Sequence, residues 1–132
     1  MNIPAMVLSA GLGTRLDPLT RLVAKPAVPL GDRTLIERVL GWLASHDVTR
    51  LVVNLHHEAD SITAIVGDGR HLGVEVRYSW EQPLLGSAGG PRHALPLLDA
   101  ETFLIVNGDT LCDVDLTAIV AAHHEAGDGD KL

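Results

Sequence analysis

The stretch Leu8–Leu30, LSAGLGTRLDPLTRLVAKPAVPL, restricts the chain more than any other. The apolar run Ile3–Ser9 leads into it and reads as a first β-strand, its continuous apolar character suiting a sheet covered on both faces. Gly11 and Gly13 then let the backbone turn tightly and approach a ligand with no Cβ in the way. Successive N–H groups in such a loop form a concavity for phosphate oxygens. Arg15 in the loop and Lys25 ten residues on are two cations suited to a strongly anionic ligand such as a nucleoside triphosphate. Two familiar phosphate motifs are excluded. A dinucleotide fingerprint needs a third glycine at position 16, which is Leu16, and no G-x-x-x-x-G-K-[ST] run occurs. The competing reading is a plain glycine turn with a surface arginine.

The 132 residues suffice for one domain, and 46% hydrophobic content supports a real core. A formal net charge of -7 argues against a nucleic-acid partner and makes the few cations local ligand groups. The single cysteine, Cys112, admits no internal disulfide and reads as a passive small residue in a reducing, cytoplasmic setting. No secretory leader is expected at the N-terminus, and no apolar run is long enough to span a membrane, so no membrane partner is expected.

Farther along, Thr34-Leu35-Ile36-Glu37 has the form of a capping box opening a helix to about Ser45. Pro18, Pro26 and Pro29 predict a long extended segment before it. Thr49–Leu55 reads as the second strand, with Asn54 at its C-terminal end, where open α/β sheets bind ligands. His56 and His57 look like a metal cue, but neighbours on a strand point to opposite faces. Ala59–Val66 predicts a short helix, and Val74–Tyr78 a third strand near an edge. A glycine-rich segment Trp80–Gly90 then leads to a helix from about Ala88 to Leu95, with Ser87 as a candidate N-cap and Pro91 in the first turn. Thr102–Asn107 reads as the most buried strand. It delivers Asn107-Gly108-Asp109-Thr110 to the sheet's C-terminal edge, where a carboxylate facing phosphates is placed to hold Mg2+. Asp113 and Asp115 are rival carboxylates, and Asp115 also reads as the cap of a helix Leu116–Glu125, with His123 and His124 on its solvated side. The alternation predicts an α/β fold: a Rossmann-like, mainly parallel sheet with right-handed crossovers and helices on both faces.

The loop's full string, Ala10-Gly11-Leu12-Gly13-Thr14-Arg15-Leu16-Asp17-Pro18-Leu19-Thr20 followed by Lys25-Pro26-Ala27-Val28-Pro29, resembles the signature of the sugar-1-phosphate nucleotidyltransferases, or NDP-sugar pyrophosphorylases. The resemblance runs from about Met1 to Gly127. It lies nearest the mannose-1-phosphate guanylyltransferases and N-acetylmuramate-1-phosphate uridylyltransferases. It implies the nucleotide-diphospho-sugar transferase fold and the reaction of an NTP with a sugar 1-phosphate to give NDP-sugar and pyrophosphate. Guanine with mannose 1-phosphate is the first expectation for base and sugar, and uridine with an amino-sugar phosphate the second. Ala10, Gly11, Gly13, Thr14, Arg15 and Lys25 would bind the nucleotide phosphates, Arg15 and Lys25 carrying the catalytic charge.

Trp80–Gly90 resembles the family's second nucleotide segment, so that Glu81 or Gln82, with Gly86 and Ser87, would contact the base. Asp109 matches the family's metal aspartate, with Mg2+ as cofactor. The resemblance also implies a longer catalytic domain, so residues 1–127 would be its nucleotide-binding part, truncated before the sugar pocket, with 128–132 a polar tail. A sheet edge left uncovered would favour a homo-oligomer. The competing class is a non-catalytic nucleotide-binding or regulatory module. Retention of Arg15, Lys25 and Asp109 together favours the enzyme.

Overall fold

The computed structural model describes residues 2–127; the expected polar tail, 128–132, lies outside them. In chain order the elements are β1 (Ala5–Leu8), β2 (Pro29–Leu30), β3 (Arg33–Thr34), α1 (Leu35–Ser45), β4 (Arg50–Leu55), α2 (Ala59–Val66), β5 (Glu75–Trp80), α3 (Gly86–Leu98), β6 (Leu104–Asn107) and α4 (Leu116–Ala126). Four strands form one parallel sheet in the order β5-β4-β1-β6, with Val7 level with Val53 and Leu8 with Asn107. β2 and β3 make a separate antiparallel ribbon.

Strand alternation sorts the core into two layers. Ala5 and Val7 of β1 and Leu51, Val53 and Leu55 of β4 turn toward Ile36, Val39, Leu40 and Leu43 of α1 and Ile62 and Val66 of α2. Met6 and Val52 turn the other way, against Ala94 and Leu98 of α3. Each fully buried Leu or Ile of these layers is worth about 1.5–3 kcal/mol. Helices therefore cover both faces, as the βαβ alternation predicts. The chain winds from β1 through β4 to β5 under α1 and α2, then crosses back over the opposite face by α3 to reach β6. The winding direction reverses between β1 and β6, and a crevice opens there at the strands' C-terminal ends. The first helix starts as its sequence predicts. Glu37 N donates to Thr34 Oγ1 at 3.3 Å, and Thr34 N donates to Glu37 Oε2 at 2.7 Å.

Three expectations are corrected. The segment before α1 is not extended: it folds into 3-10 turns at Thr14–Leu16, Leu19–Arg21 and Lys25–Ala27, because proline fixes φ near a value that such turns also use. Pro91 is not in the first turn of its helix, since α3 begins earlier, at Gly86; Pro96 also lies inside it. β6 is not the most buried strand. It sits at the sheet edge, paired among the described residues only with β1, and Ile105 is 53% exposed. Its apolar run promised burial, but it has a strand neighbour on one side only among the described residues. β5 occupies the opposite edge, as expected.

Candidate functional site

The loop leaving β1 is held in shape from outside. Gly13 adopts the left-handed region, φ 62° and ψ 27°, and Leu16 N returns a hydrogen bond to its carbonyl at 3.0 Å. A Cβ on Gly13 would meet Thr20 Cγ2 at 3.0 Å and Lys25 Cβ at 3.1 Å, so the position needs glycine for its conformation and for its packing. Thr20 is fully buried, its hydroxyl 2.8 Å from both Gly13 O and Asp17 Oδ1. His57 Nε2 donates to the Thr20 carbonyl. Gly11, by contrast, is exposed, and a Cβ there would meet no atom within 4 Å.

Lys25 is presented by the third 3-10 turn. Ala24 N, just before it, donates to Ser61 Oγ at 2.9 Å, tying the turn to α2. Lys25 Nζ then lies 2.9 Å from Asp109 Oδ2. Asp109 reaches this point because Gly108 N donates to Leu8 O at 2.9 Å and Gly108 carries no side chain. A Cβ there would collide with Ser9 Oγ and stand 3.0 Å from Leu8 O. With 35% and 27% of their side chains exposed, the two groups form a pair worth about 0–1 kcal/mol, cheap to exchange for a phosphate and a cation.

The third wall follows β5. Glu81 is 2% exposed, with Oε1 accepting from Asn54 Nδ2 at 2.8 Å and Oε2 from Leu85 N at 3.0 Å. Asn54 Oδ1 accepts from Ser9 N at 2.6 Å, and His56 Nδ1 donates to Glu81 O at 2.8 Å. Both histidines of the adjacent pair thus serve as donors to backbone carbonyls. Gly86 opens α3 with Leu85 as N-cap and no side-chain cap, so Ser87 is not the cap.

These walls enclose a cavity of about 370 Å³. Ala10, Gly11, Gly13, Thr14, Arg15, Lys25, Glu81, Gly86, Ser87 and Asp109 all border it, so nearly every residue singled out in the sequence converges here from three strand ends. Gln82 does not border it. Asn54, Leu84 and Asn107 do, and of these Asn54 and Asn107 carried a sequence signal, their places at strands' C-terminal ends. Thr20, which His57 helps to pin from behind, was legible only as a letter of the motif, and His57 only as half of a histidine pair. Asp113 and Asp115 stay outside; Asp115 caps α4, accepting from Thr117 N at 2.9 Å and Ala118 N at 3.3 Å. His123 and His124 are exposed on that helix. Among the described residues no three His, Cys, Asp or Glu side chains cluster as a metal cage. The donor set instead fits a cation that takes one or two protein carboxylates and completes its shell with phosphates and water, as Mg2+ does. No described helix is long and apolar enough to cross a membrane.

A doubly wound parallel sheet with a glycine loop, two cations and a carboxylate at its switch point defines a Rossmann-like α/β protein. Comparison with known proteins narrows the class. The nucleotidyl transferase family profile matches residues 4–131, and the chain belongs to that family. It is 42% identical over 115 residues to N-acetylmuramate alpha-1-phosphate uridylyltransferase of Neisseria meningitidis, covering 86% of this chain and 50% of that protein. It is 37% identical to UTP--glucose-1-phosphate uridylyltransferase of Synechocystis, covering 93% and 34%, and 31% identical to mannose-1-phosphate guanylyltransferase of Mycobacterium tuberculosis, covering 92% and 34%. Among solved structures, HddC from Yersinia pseudotuberculosis complexed with GMP-PN superposes with a TM-score of 0.81 at 28% identity, over 91% of this chain and 53% of that one. The chain thus spans from about a third to just over half of these relatives' lengths.

Proposed function

We propose that this chain is the nucleotide-binding part of a sugar-1-phosphate nucleotidyltransferase, acting in the transfer of a nucleotidyl group from an NTP to a sugar 1-phosphate with release of pyrophosphate. The observation that carries this reading is the Lys25–Asp109 pair, 2.9 Å apart, bordering one cavity with the Gly11–Arg15 loop. A cation and a carboxylate poised beside a nest of N–H groups suit a triphosphate and its counter-ion.

In this reading the sugar phosphate oxygen attacks the α-phosphorus and pyrophosphate leaves in line. The loop amides from Gly11 to Thr14 and the Arg15 guanidinium hold the β- and γ-phosphates, the leaving group. Lys25 leaves Asp109 for the α-phosphate and the incoming phosphate, offsetting the repulsion between two anions. The attacking phosphate is already ionised, so no side-chain base is needed, and catalysis is positioning and charge neutralisation. Asp109 would hold Mg2+, which supplies neutralisation of charge on nucleotide oxygens. Gly86 and Ser87 border the cavity where the base would lie. By resemblance alone, guanine with mannose 1-phosphate comes first. The greater identity to the two uridylyltransferases supports uridine instead.

Calorimetric titration of the chain with GTP, UTP, dTTP, CTP and ATP in Mg2+ tests the proposal. Saturable binding of one of them is expected. A cooperatively folded protein that binds none refutes a complete nucleotide site in this chain. Binding without product from any sugar 1-phosphate would make it a binding module.

A further inference from the structure

The buried chain of hydrogen bonds behind the cavity links two walls that a nucleotide would touch at opposite ends. It runs from Ser9 N to Asn54 Oδ1 (2.6 Å), from Asn54 Nδ2 to Glu81 Oε1 (2.8 Å), and from Leu85 N to Glu81 Oε2 (3.0 Å). Ser9 begins the glycine loop, and Leu85 directly precedes Gly86 and Ser87. We propose that Asn54 and Glu81 are positioning residues that fix the spacing between the phosphate loop and the base-side segment, so that phosphates and base are gripped as one ligand. This rests on the nucleotide reading above.

Three observations support the role. First, the residues are 3% and 2% exposed, and each of their four side-chain polar atoms already has a protein partner, so the pair braces the two walls against each other. Second, Glu81 forms no ion pair among the described residues. A buried carboxylate satisfied only by neutral donors is costly, and an apolar pair would pack more cheaply. What the polar pair adds is directional geometry. The amide orientation is unambiguous, because the Asn54 oxygen must face an N–H and its nitrogen a carboxylate. Third, the backbone of α3 lies on the pair. A Cβ at Gly90 would be 2.5 Å from Glu81 Oε1 and 3.1 Å from Asn54 Nδ2. The helix that carries the base-side residues thus seats on the tie itself.

A charge-conserving exchange tests this. Glu81→Gln alone sets an amide N–H2 against either Asn54 Nδ2 or Leu85 N–H, donor against donor. Asn54→Asp alone sets two carboxylates face to face. The double variant restores the chain with its middle bond reversed: the acid at 54 accepts from Ser9 N and from the new amide at 81, whose oxygen accepts from Leu85 N. Calorimetry with UTP and GTP reads the whole ligand, and inorganic pyrophosphate reads the phosphate loop alone. Each single variant should weaken binding of the preferred triphosphate about tenfold while changing pyrophosphate affinity much less, and the double variant should recover most of the loss. Single variants that melt earlier yet keep the wild-type ratio of the two affinities would reduce the pair to a structural one and overturn the proposal. So would a double variant no better than the singles. If neither single variant folds, the double variant decides: folded with wild-type triphosphate affinity supports the tie, and any other result rejects it. A wild-type chain that binds pyrophosphate but no triphosphate rejects the nucleotide reading. The tie is then judged by amide exchange at Ser9 and Leu85, slow in the wild type and double variant and fast in Glu81→Gln.

Discussion

Gly11 and Gly13 lie two residues apart in one loop, and the structure gives them opposite reasons for being glycine. At Gly13 the backbone is left-handed, φ 62°, and a Cβ would crowd Thr20 Cγ2 at 3.0 Å and Lys25 Cβ at 3.1 Å. An alanine there meets a left-handed penalty of roughly 1–2 kcal/mol. Overpacking against a fully buried threonine adds about 1 kcal/mol or more. At about 4 °C per kcal/mol for a chain of this size, Gly13→Ala should lower the melting temperature by roughly 8–15 °C. At Gly11 φ is ordinary and a Cβ points into open space on the cavity wall. Gly11→Ala should therefore leave stability unchanged or raise it by about 0.4–1 kcal/mol through the less flexible unfolded chain. Its methyl group would occupy the space assigned to phosphate oxygens, so triphosphate affinity should fall about tenfold or more. Thermal unfolding and calorimetric titration of both variants decide the matter. A Gly13→Ala protein that melts within about 2 °C of wild type refutes the strain argument. A Gly11→Ala protein that binds triphosphate normally refutes the placement of phosphates against the loop.

Lys25→Ala should reduce turnover far more than NTP affinity; equal losses in steady-state kinetics and binding would move Lys25 away from the α-phosphate. Asp109→Asn should weaken the Mg2+ dependence of nucleotide binding, and an unchanged metal titration would place the cation elsewhere. Glu37 has its pKa lowered, chiefly by the Thr34 backbone N–H that its carboxylate accepts. Its contribution is thus fully present above the unfolded-state carboxyl value, near 4.3, and is lost as pH falls through the lower folded value. The stability gap between wild type and Glu37→Gln, measured by urea unfolding, should be open at neutral pH and closed in strong acid; a gap independent of pH would refute the capping role of the charge. The uncovered edge of β6, with Ile105 53% exposed, favours self-association. Sedimentation velocity should show concentration-dependent oligomers that Ile105→Lys disperses, and a strictly monomeric wild type would count against it.

The site's economy follows from where the sheet reverses direction. Strands β1, β4, β5 and β6 all deliver their C-terminal ends to one crevice, so residues up to about a hundred positions apart become neighbours. Only Gly108, too small to be fended off by Ser9 and Leu8, allows the Asp109 segment to lie close enough to pair with Lys25.

Local chemistry was readable without the fold. The capping box at Thr34, the helix Ala59–Val66, the glycine loop and the βαβ alternation are set by near neighbours in the chain, and each stands where the residues place it. The motif likewise pointed to Arg15 and Lys25, which with Asp109 border one cavity. Tertiary structure alone decided how the polar groups of the cavity wall are paired. Glu81 and Asn54 border the cavity as the sequence suggested, and each also finds partners in the other and in the backbone of Leu85 and Ser9. The run 102–107 promised the most buried strand, but burial depends on which elements pack beside it, and β6 lies at an edge. The same holds for Thr20 and His57, whose hydrogen bond joins residues 37 positions apart. Periodicity and composition report on neighbours in the chain, whereas hydrogen-bond partners across a sheet exist only once the crossovers have closed.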